Sequence, residues 1–183
     1  GNNFKDIGEV FDLTRRRILT YPPDFIYRLR DHLYRQLELA IINENTEILK
    51  NILKDKDKIW YNDRDNNQLV NSLLRQLVEQ GPENPKIYEI LLKYGADPNQ
   101  ILFGQSLLDY IVMEALDTID DQEKSKKIVN MMRKYGAQSW VESDSEGQRR
   151  NLTDLMIDVK LQDKKAVKEK LKNGADVNAK DFL

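Results

Sequence analysis

The sequence predicts an all-α repeat solenoid, because a short phrase recurs at the end of three helical segments. In each segment apolar helix residues precede a Gly-Ala pair, and the three glycines are Gly95, Gly136 and Gly174. Gly136 follows Gly95 by 41 residues, and Gly174 follows Gly136 by 38. Internal periods of roughly 20 to 50 residues are typical of solenoid arrays. We therefore expect several similar helix pairs, stacked one after another.

Each part of the recurring phrase has a structural role. The apolar residues complete an amphipathic helix, and Gly adopts the left-handed conformation that ends it. The Ala-Asp-x-Asn sequences at 96–99 and 175–178 then favour a turn, because Asp and Asn side chains bond to nearby backbone. The chain is expected to reverse direction after every unit.

The sequence Gly-Ala-Asp-Val-Asn-Ala at residues 174–179 resembles the end of an ankyrin repeat. Counting back in the family register places Thr153 at the Thr of the family's Thr-Pro-Leu-His turn, with Leu155 at its Leu. In the preceding unit, Gly104 and Ser106 are similar to the Gly-x-Thr opening of that turn. The resemblance implies an ankyrin-type stack of four divergent helix pairs.

The repeats depart from the family pattern at the turns. Asp109 and Met156 stand where the family has His, so we expect looser turns than consensus repeats form. Extra residues separate the two helices of the third unit, at about Thr118 to Ser125, and of the second unit, at Glu79 to Pro85. Insertions in repeat arrays map to loops, so both segments are predicted as loops. The resemblance covers about residues 34 to 181.

Two domains are predicted, an N-terminal helical cap at 1–33 and a repeat array of about four units at 34–183. A helix starting after Pro22-Pro23, with Asp24 in its first turn, continues its apolar face into the first unit, whose inter-helix turn is Asn43-Glu44. Solenoids need an atypical end unit to cover a terminal apolar face.

The sequence stops within the turn that would open another repeat, so we expect a fragment of a longer array. Its uncovered C-terminal face would permit self-association.

The composition is typical of a water-soluble globular chain, with 40% apolar and 33% charged residues and no apolar run near the roughly 18 residues of a membrane span. The lack of Cys excludes disulfides, thiol nucleophiles and thiolate metal sites, and it fits a reducing compartment. We expect an intracellular, cytoplasmic protein. A formal net charge of −2 gives no broad field that would attract nucleic acid or anionic lipid.

Catalytic and metal-binding motifs are not found in the sequence. The single histidine, His32, lies in the predicted cap and is interpreted as structural. The oxygen-rich stretches at 63–67 and 142–147 lack the Glu that completes a calcium loop, so both are predicted as turns. A group of carboxylates is interpreted as a solvated acidic loop: Asp117, Asp120, Asp121 and Glu123. No enzyme, cofactor or metal is expected.

Apolar residues in the turns between units are the best candidates for a binding surface. These turns, here called fingers, contain Ile59-Trp60-Tyr61, Ile101-Leu102-Phe103, Trp140-Val141 and Phe182-Leu183. Stacked units would align the fingers in a row, and exposed apolar rows on a rigid scaffold are typical of protein-binding sites. The predicted contact residues are Trp60, Tyr61, Leu102, Phe103, Trp140 and Val141. Equally, the fingers could fold back and bury these side chains, with Ile101 and Leu102 the more packed.

The sequence thus predicts a noncatalytic protein-binding module that uses its fingers and the concave helix face. One alternative is a targeting arm of a larger enzyme, and another is recognition of a nucleotide or single-stranded nucleic acid by stacking on Trp60 and Tyr61 beside arginines. Separately, Arg15-Arg16-Arg17 suggests a nucleic-acid or phosphate contact. Interleaved acids around those arginines make nucleic acid the weaker interpretation. The Lys-, Asn- and Ile-rich composition resembles viral or intracellular bacterial ankyrin proteins that act on host proteins, which would place the chain in host cytoplasm.

Overall fold

The computed structural model describes residues 23–54, 63–81, 84–114, 119–139 and 152–179. Within these ranges the chain forms eight helices and one short two-stranded hairpin, which confirms the all-α class. The elements in chain order are α1 Pro23–Ile42, α2 Thr46–Lys54, α3 Asp63–Glu79, α4 Pro85–Lys93, β1 Ile101–Leu102, β2 Gln105–Ser106, α5 Leu107–Glu114, α6 Ile119–Lys134, α7 Asp154–Lys160 and α8 Lys164–Lys172. None of the described helices has both the length and the apolar character that crossing a membrane requires.

The chain divides into two compact units, Gly1–Asn66 and Asn67–Leu183. The predicted boundary between residues 33 and 34 falls inside α1, because the apolar face of that helix runs on without a break. Leu33, Leu37 and Ala40 are buried along this face. The predicted cap and the predicted first repeat would therefore share one helix.

In the first unit, α1 packs against α2 across a tight turn. Asn43 and Glu44 form this turn as predicted, with Glu44 in the left-handed region at φ 52°. The side chain of Asn45 starts α2, since its Oδ1 accepts the Ile48 N–H at 3.1 Å. Leu49, Ile52 and Leu53 of α2 are buried.

In the second unit, α6 packs against both α4 and α5, and α7 packs against α8. Many large apolar side chains of α4 to α6 are fully or almost fully buried, among them Ile87, Tyr88, Leu91, Leu107, Leu108, Val129 and Met132. By contrast, no residue of α8 is buried. Packing is therefore dense around α6 and sparse at the last helix.

The three glycines of the recurring phrase end their helices in the same way. Gly95, Gly136 and Gly174 have φ values of 96°, 87° and 82°. In each case the N–H of the following alanine donates to a carbonyl five residues earlier, at 3.0 Å. This pattern is a Schellman cap, which needs a residue at positive φ and so favours Gly. The predicted helix ends are confirmed.

The two predicted insertions have different structures. Helix α6 begins at Ile119, so the segment up to Ser125 lengthens a helix, and the loop prediction was wrong there. Acidic residues are favourable in the first turns of a helix, and 120, 121 and 123 are acidic. The other insertion does separate two helices, because α3 ends at Glu79 and α4 begins at Pro85.

Candidate protein-binding finger

A hairpin between α4 and α5 is the one predicted finger that lies within the described residues. Its strands are antiparallel, with Ile101 opposite Ser106 and Leu102 opposite Gln105. The N–H of Leu107 donates to the carbonyl of Gln100 at 3.2 Å and closes its base. Since α5 starts at Leu107, the hairpin is joined directly to a packed helix.

Phe103 occupies the tip of this hairpin and is 76% exposed. Phe103 and Gly104 have φ values of 49° and 80°, so both residues of the turn are in the left-handed region. Asn-Gly is the preferred pair for such a turn, and a bulky residue at positive φ costs about 1 kcal/mol. An exposed and strained aromatic contributes little to folding. Phe103 is therefore the strongest candidate for a partner contact.

Three further side chains extend the apolar surface around Phe103. The rings of Phe103 and Tyr110 lie 6.1 Å apart between centroids, at an angle of 38°. Met113 is exposed one helical turn beyond Tyr110, and Ile101 is exposed on the first strand. We call Ile101, Phe103, Tyr110 and Met113 the finger patch. Aromatic and methionine side chains are enriched in protein interfaces.

Leu102, one residue before Phe103, has an exposed fraction of 0%. Successive side chains of a strand point to opposite faces, so Leu102 faces inward. The prediction of Leu102 as a contact residue therefore does not hold, because its side chain belongs to the core. Its burial agrees with the alternative expectation that Leu102 is packed, whereas Ile101, expected to be packed with it, is 40% exposed.

Asp109 holds the turn beneath the finger. This carboxylate is 1% exposed, and it accepts the hydroxyl hydrogens of Ser106 and Ser139, each at 2.7 Å. Ser106 also accepts the N–H of Asp109, at 3.1 Å, and so caps α5. The hydroxyl oxygen of Ser139 accepts the Leu152 N–H at 2.7 Å. Looser turns were expected where Asp109 replaces the family His, and at this position that expectation was wrong.

Asn99 ties the base of the finger to the next glycine phrase. Its Nδ2 donates to the carbonyl of Gly136 at 3.1 Å, and its Oδ1 accepts the N–H of Gln138 at 2.8 Å. Its own N–H donates to Asp97 Oδ1 at 2.9 Å, which forms the predicted turn. Both sides of the hairpin base are therefore held by polar contacts.

A second buried carboxylate, Asp158 of α7, lies in an ion cluster. Arg133 of α6 donates from Nη1 to Asp158 Oδ1 at 2.7 Å, and Lys170 of α8 donates to Oδ2. At the surface, Asp154 Oδ1 lies 3.2 Å from Arg133 Nη2. Two cations compensate the buried charge, so the cluster joins three helices rather than forming a reactive site.

Tyr88 of α4 is a fully buried tyrosine. Burial raises the pKa of its hydroxyl well above the ordinary value of 10.0, because the charged phenolate would lose its hydration. Its Oη has no hydrogen-bond partner among the described residues. A neutral, buried hydroxyl of this kind has a packing role.

The other residues and segments singled out in the sequence lie outside the finger. Trp60, Tyr61, Trp140 and Val141 lie outside the described residues. His32 is exposed on α1. The prediction of a turn at 63–67 was wrong, since these residues form the start of α3. Within the described ranges, no group of three or more His, Asp or Glu side chains is placed to hold a metal ion.

Comparison with known proteins gives no relative. No protein-family model, curated protein or solved structure matches the chain. The geometry of the finger and of the recurring caps is therefore the basis of the functional argument.

Proposed function

We propose that this chain is a stack of four divergent ankyrin-type helix pairs and binds another protein without catalysis, with Phe103 as the main contact. The observation that carries the proposal is the combination of 76% exposure and a left-handed backbone at Phe103. The fold would be more stable with a different residue there. A partner that covers the ring would account for its presence.

Local geometry that recurs along the chain supports the stacking part of the proposal. Ser106 and Thr153 occupy equivalent places in the family register, and each accepts the N–H of the residue three positions later, at 3.1 and 3.2 Å. The turns at 97–99 and 176–178 are equivalent, since in both the Asn N–H donates to the Asp two residues before it. The inter-helix turns after α1 and α7 each place a residue at positive φ, Glu44 and Gln162.

The shape of the finger patch favours a protein as the partner. The Phe103 ring projects from a hairpin tip with Tyr110 beside it, so the partner must supply the apolar pocket. Buried aromatic residues near the centre of an interface commonly contribute about 2 kcal/mol or more to binding. The rigid base keeps the ring in place before binding, which lowers the entropic cost of association.

Photo-crosslinking tests this assignment. Phe103 is replaced by the photoreactive residue p-benzoylphenylalanine, and the protein is irradiated in cell lysate. We expect one or a few discrete protein adducts. The matched control carries the same residue at Ile42, an exposed apolar position at the end of α1. Equal adduct patterns from both positions, or adducts with nucleic acid alone, would contradict a protein-binding finger.

A further inference from the structure

A second surface of the chain carries lysines in a recurring arrangement. Two lysines precede each of the three glycines that cap α4, α6 and α8, one of them nine residues before the glycine and the other two residues before it. All of these side chains are exposed, and we call them the lysine ladder: Lys86, Lys93, Lys127, Lys134, Lys165 and Lys172. The positions nine and two residues before the glycine are lysine in all three units, whereas most other positions of these helices differ in residue type.

The two ladder lysines of each helix lie on one side of that helix. Two residues seven positions apart are separated by two helical turns, so they share one face at a distance of about 10.5 Å. On α4 the buried Leu91 lies about 140–160° around the helix from Lys86 and Lys93, and on α6 Met132 lies at the same angles from Lys127 and Lys134. Ile90, one turn from Lys86, is also buried, so the lysines border the packed side of α4. Helix α4 packs against α6, and α8 is joined to α6 through the Asp158 ion cluster. The three helices therefore carry the same pair of exposed lysines at the same spacing.

The ladder differs from neighbouring basic residues in its ion pairing. None of its six lysines forms an ion pair with another described residue, whereas Lys126, Arg133 and Lys170 all do. Glu89, Glu123 and Glu169 lie within one turn of ladder lysines on α4, α6 and α8, and Lys168 adds a further positive charge on α8, so lysines outnumber the nearby carboxylates. The surface is thus locally basic on a chain whose formal net charge is −2. Any exposed polar residue at the six ladder positions would be compatible with the packing of these helices, so packing alone does not require lysine.

We infer that the lysine ladder docks an acidic helix of a partner protein. Glutamates seven positions apart on a helix repeat at the same distance, about 10.5 Å, as the lysines of each ladder helix. Duplex DNA presents one charge per roughly 1.7 Å of its axis, which is far denser than the ladder. The ladder also contains no arginine, the residue best suited to bidentate phosphate contacts. Complementary charge of this type chiefly raises the association rate and fixes orientation. The inference does not rest on the finger patch.

Charge reversal on α6 tests the inference. The probe is a fluorescent helical peptide about 20 residues long, with glutamates two turns apart on one face. Its binding is measured by fluorescence anisotropy near physiological salt. We expect Lys127→Glu combined with Lys134→Glu to weaken binding about tenfold or more. The matched control, Lys50→Glu with Lys54→Glu, changes the net charge equally at exposed lysines of α2 and should alter binding less than about twofold.

Three results would overturn the inference: no binding of the peptide to the unaltered chain, equal weakening by both double variants, or tighter binding of a DNA duplex of similar length than of the peptide. Circular dichroism melts establish that each variant is folded. If Lys127→Glu with Lys134→Glu has a lower melting temperature than the unaltered chain, the test is repeated with Lys127→Gln and Lys134→Gln, which removes the positive charges without adding negative ones. This variant must also weaken peptide binding. Phe103→Asn should leave peptide binding unchanged, which separates this surface from the finger patch.

Discussion

The tip and the base of the finger differ in almost every physical respect, although they are adjacent in sequence. Phe103 is exposed at the tip, in a backbone conformation that its side chain disfavours. Leu102 is buried beside it, and Asp109 and Asn99 are bonded to the following segment of the chain. One short hairpin can thus divide its residues between folding and binding. Substitutions should therefore change stability at the base and affinity at the tip.

The largest expected effect is at Leu102. Leu102→Ala removes a fully buried side chain and leaves a cavity, so the free energy of unfolding should fall by about 3 kcal/mol. Chemical denaturation measures the change. Ile101→Ala is the matched control, because Ile101 is exposed on the same strand and should lose well under half as much. Similar losses at both positions would remove the distinction between tip and base.

Asp109→Ala should have the next largest effect. The substitution leaves the hydroxyls of Ser106 and Ser139 without their shared acceptor in a buried turn. We expect the free energy of unfolding to fall by about 2 kcal/mol. Ser139→Ala, which breaks only part of the network, should cost less than Asp109→Ala in the same denaturation experiment. The account of the base would be wrong if Asp109→Ala were neutral.

Asn99→Ala should destabilise the chain by about 1 kcal/mol, because it removes two partly exposed hydrogen bonds to the segment at Gly136 and Gln138. Thermal melts are sufficient to detect this loss. Asn130→Ala, at an exposed position of α6, is the control and should not lower stability. If both variants melt alike, the bridging contacts of Asn99 do not support the finger.

The smallest effect on stability, and the only gain, is expected at the tip. Phe103→Asn supplies the residue that a turn with two positive φ values prefers, which relieves about 1 kcal/mol of strain. Loss of the exposed contact with Tyr110 offsets about half of that. The free energy of unfolding should rise by about 0.5 kcal/mol. A fall of more than 1 kcal/mol would place Phe103 with the base.

The helix ends could be predicted from the sequence because their cause is local. A Gly that follows an apolar helix segment adopts positive φ whatever surrounds it, and the caps at Gly95, Gly136 and Gly174 follow that rule. The turn at Asn43-Glu44 was predicted on the same kind of information. Thr153 likewise caps α7 through a contact within three residues.

The buried polar contacts could not be predicted, because their partners are distant in sequence. Asp109 and Ser139 are 30 positions apart, and Arg133 and Asp158 are 25 apart. Only one local signal was present, the Ser-x-x-Asp spacing of Ser106 and Asp109, which is typical of a helix start. The start of α6 was missed because its polar first turns have no apolar periodicity.

The same limit applied to the finger. Ile101, Leu102 and Phe103 are all apolar, so composition could not tell which of them is exposed. The tight hairpin decides this, since it turns Leu102 inward and leaves Phe103 at the tip. A sequence signal for the exposed residue did exist, because Phe103 stands where a two-residue turn prefers Asn. This signal can be recognised only when the register of the hairpin is known.

A quantitative lysate pull-down that compares the unaltered chain, Phe103→Asn and the control Ile42→Asn tests whether Phe103 binds a partner. Calorimetric titration of any captured protein then gives its affinity. We predict a partner that the unaltered chain and the control retain. Phe103→Asn, although at least as stable, should bind it about 30-fold more weakly, which corresponds to about 2 kcal/mol. Equal affinity of all three proteins for that partner would contradict a binding function for the finger.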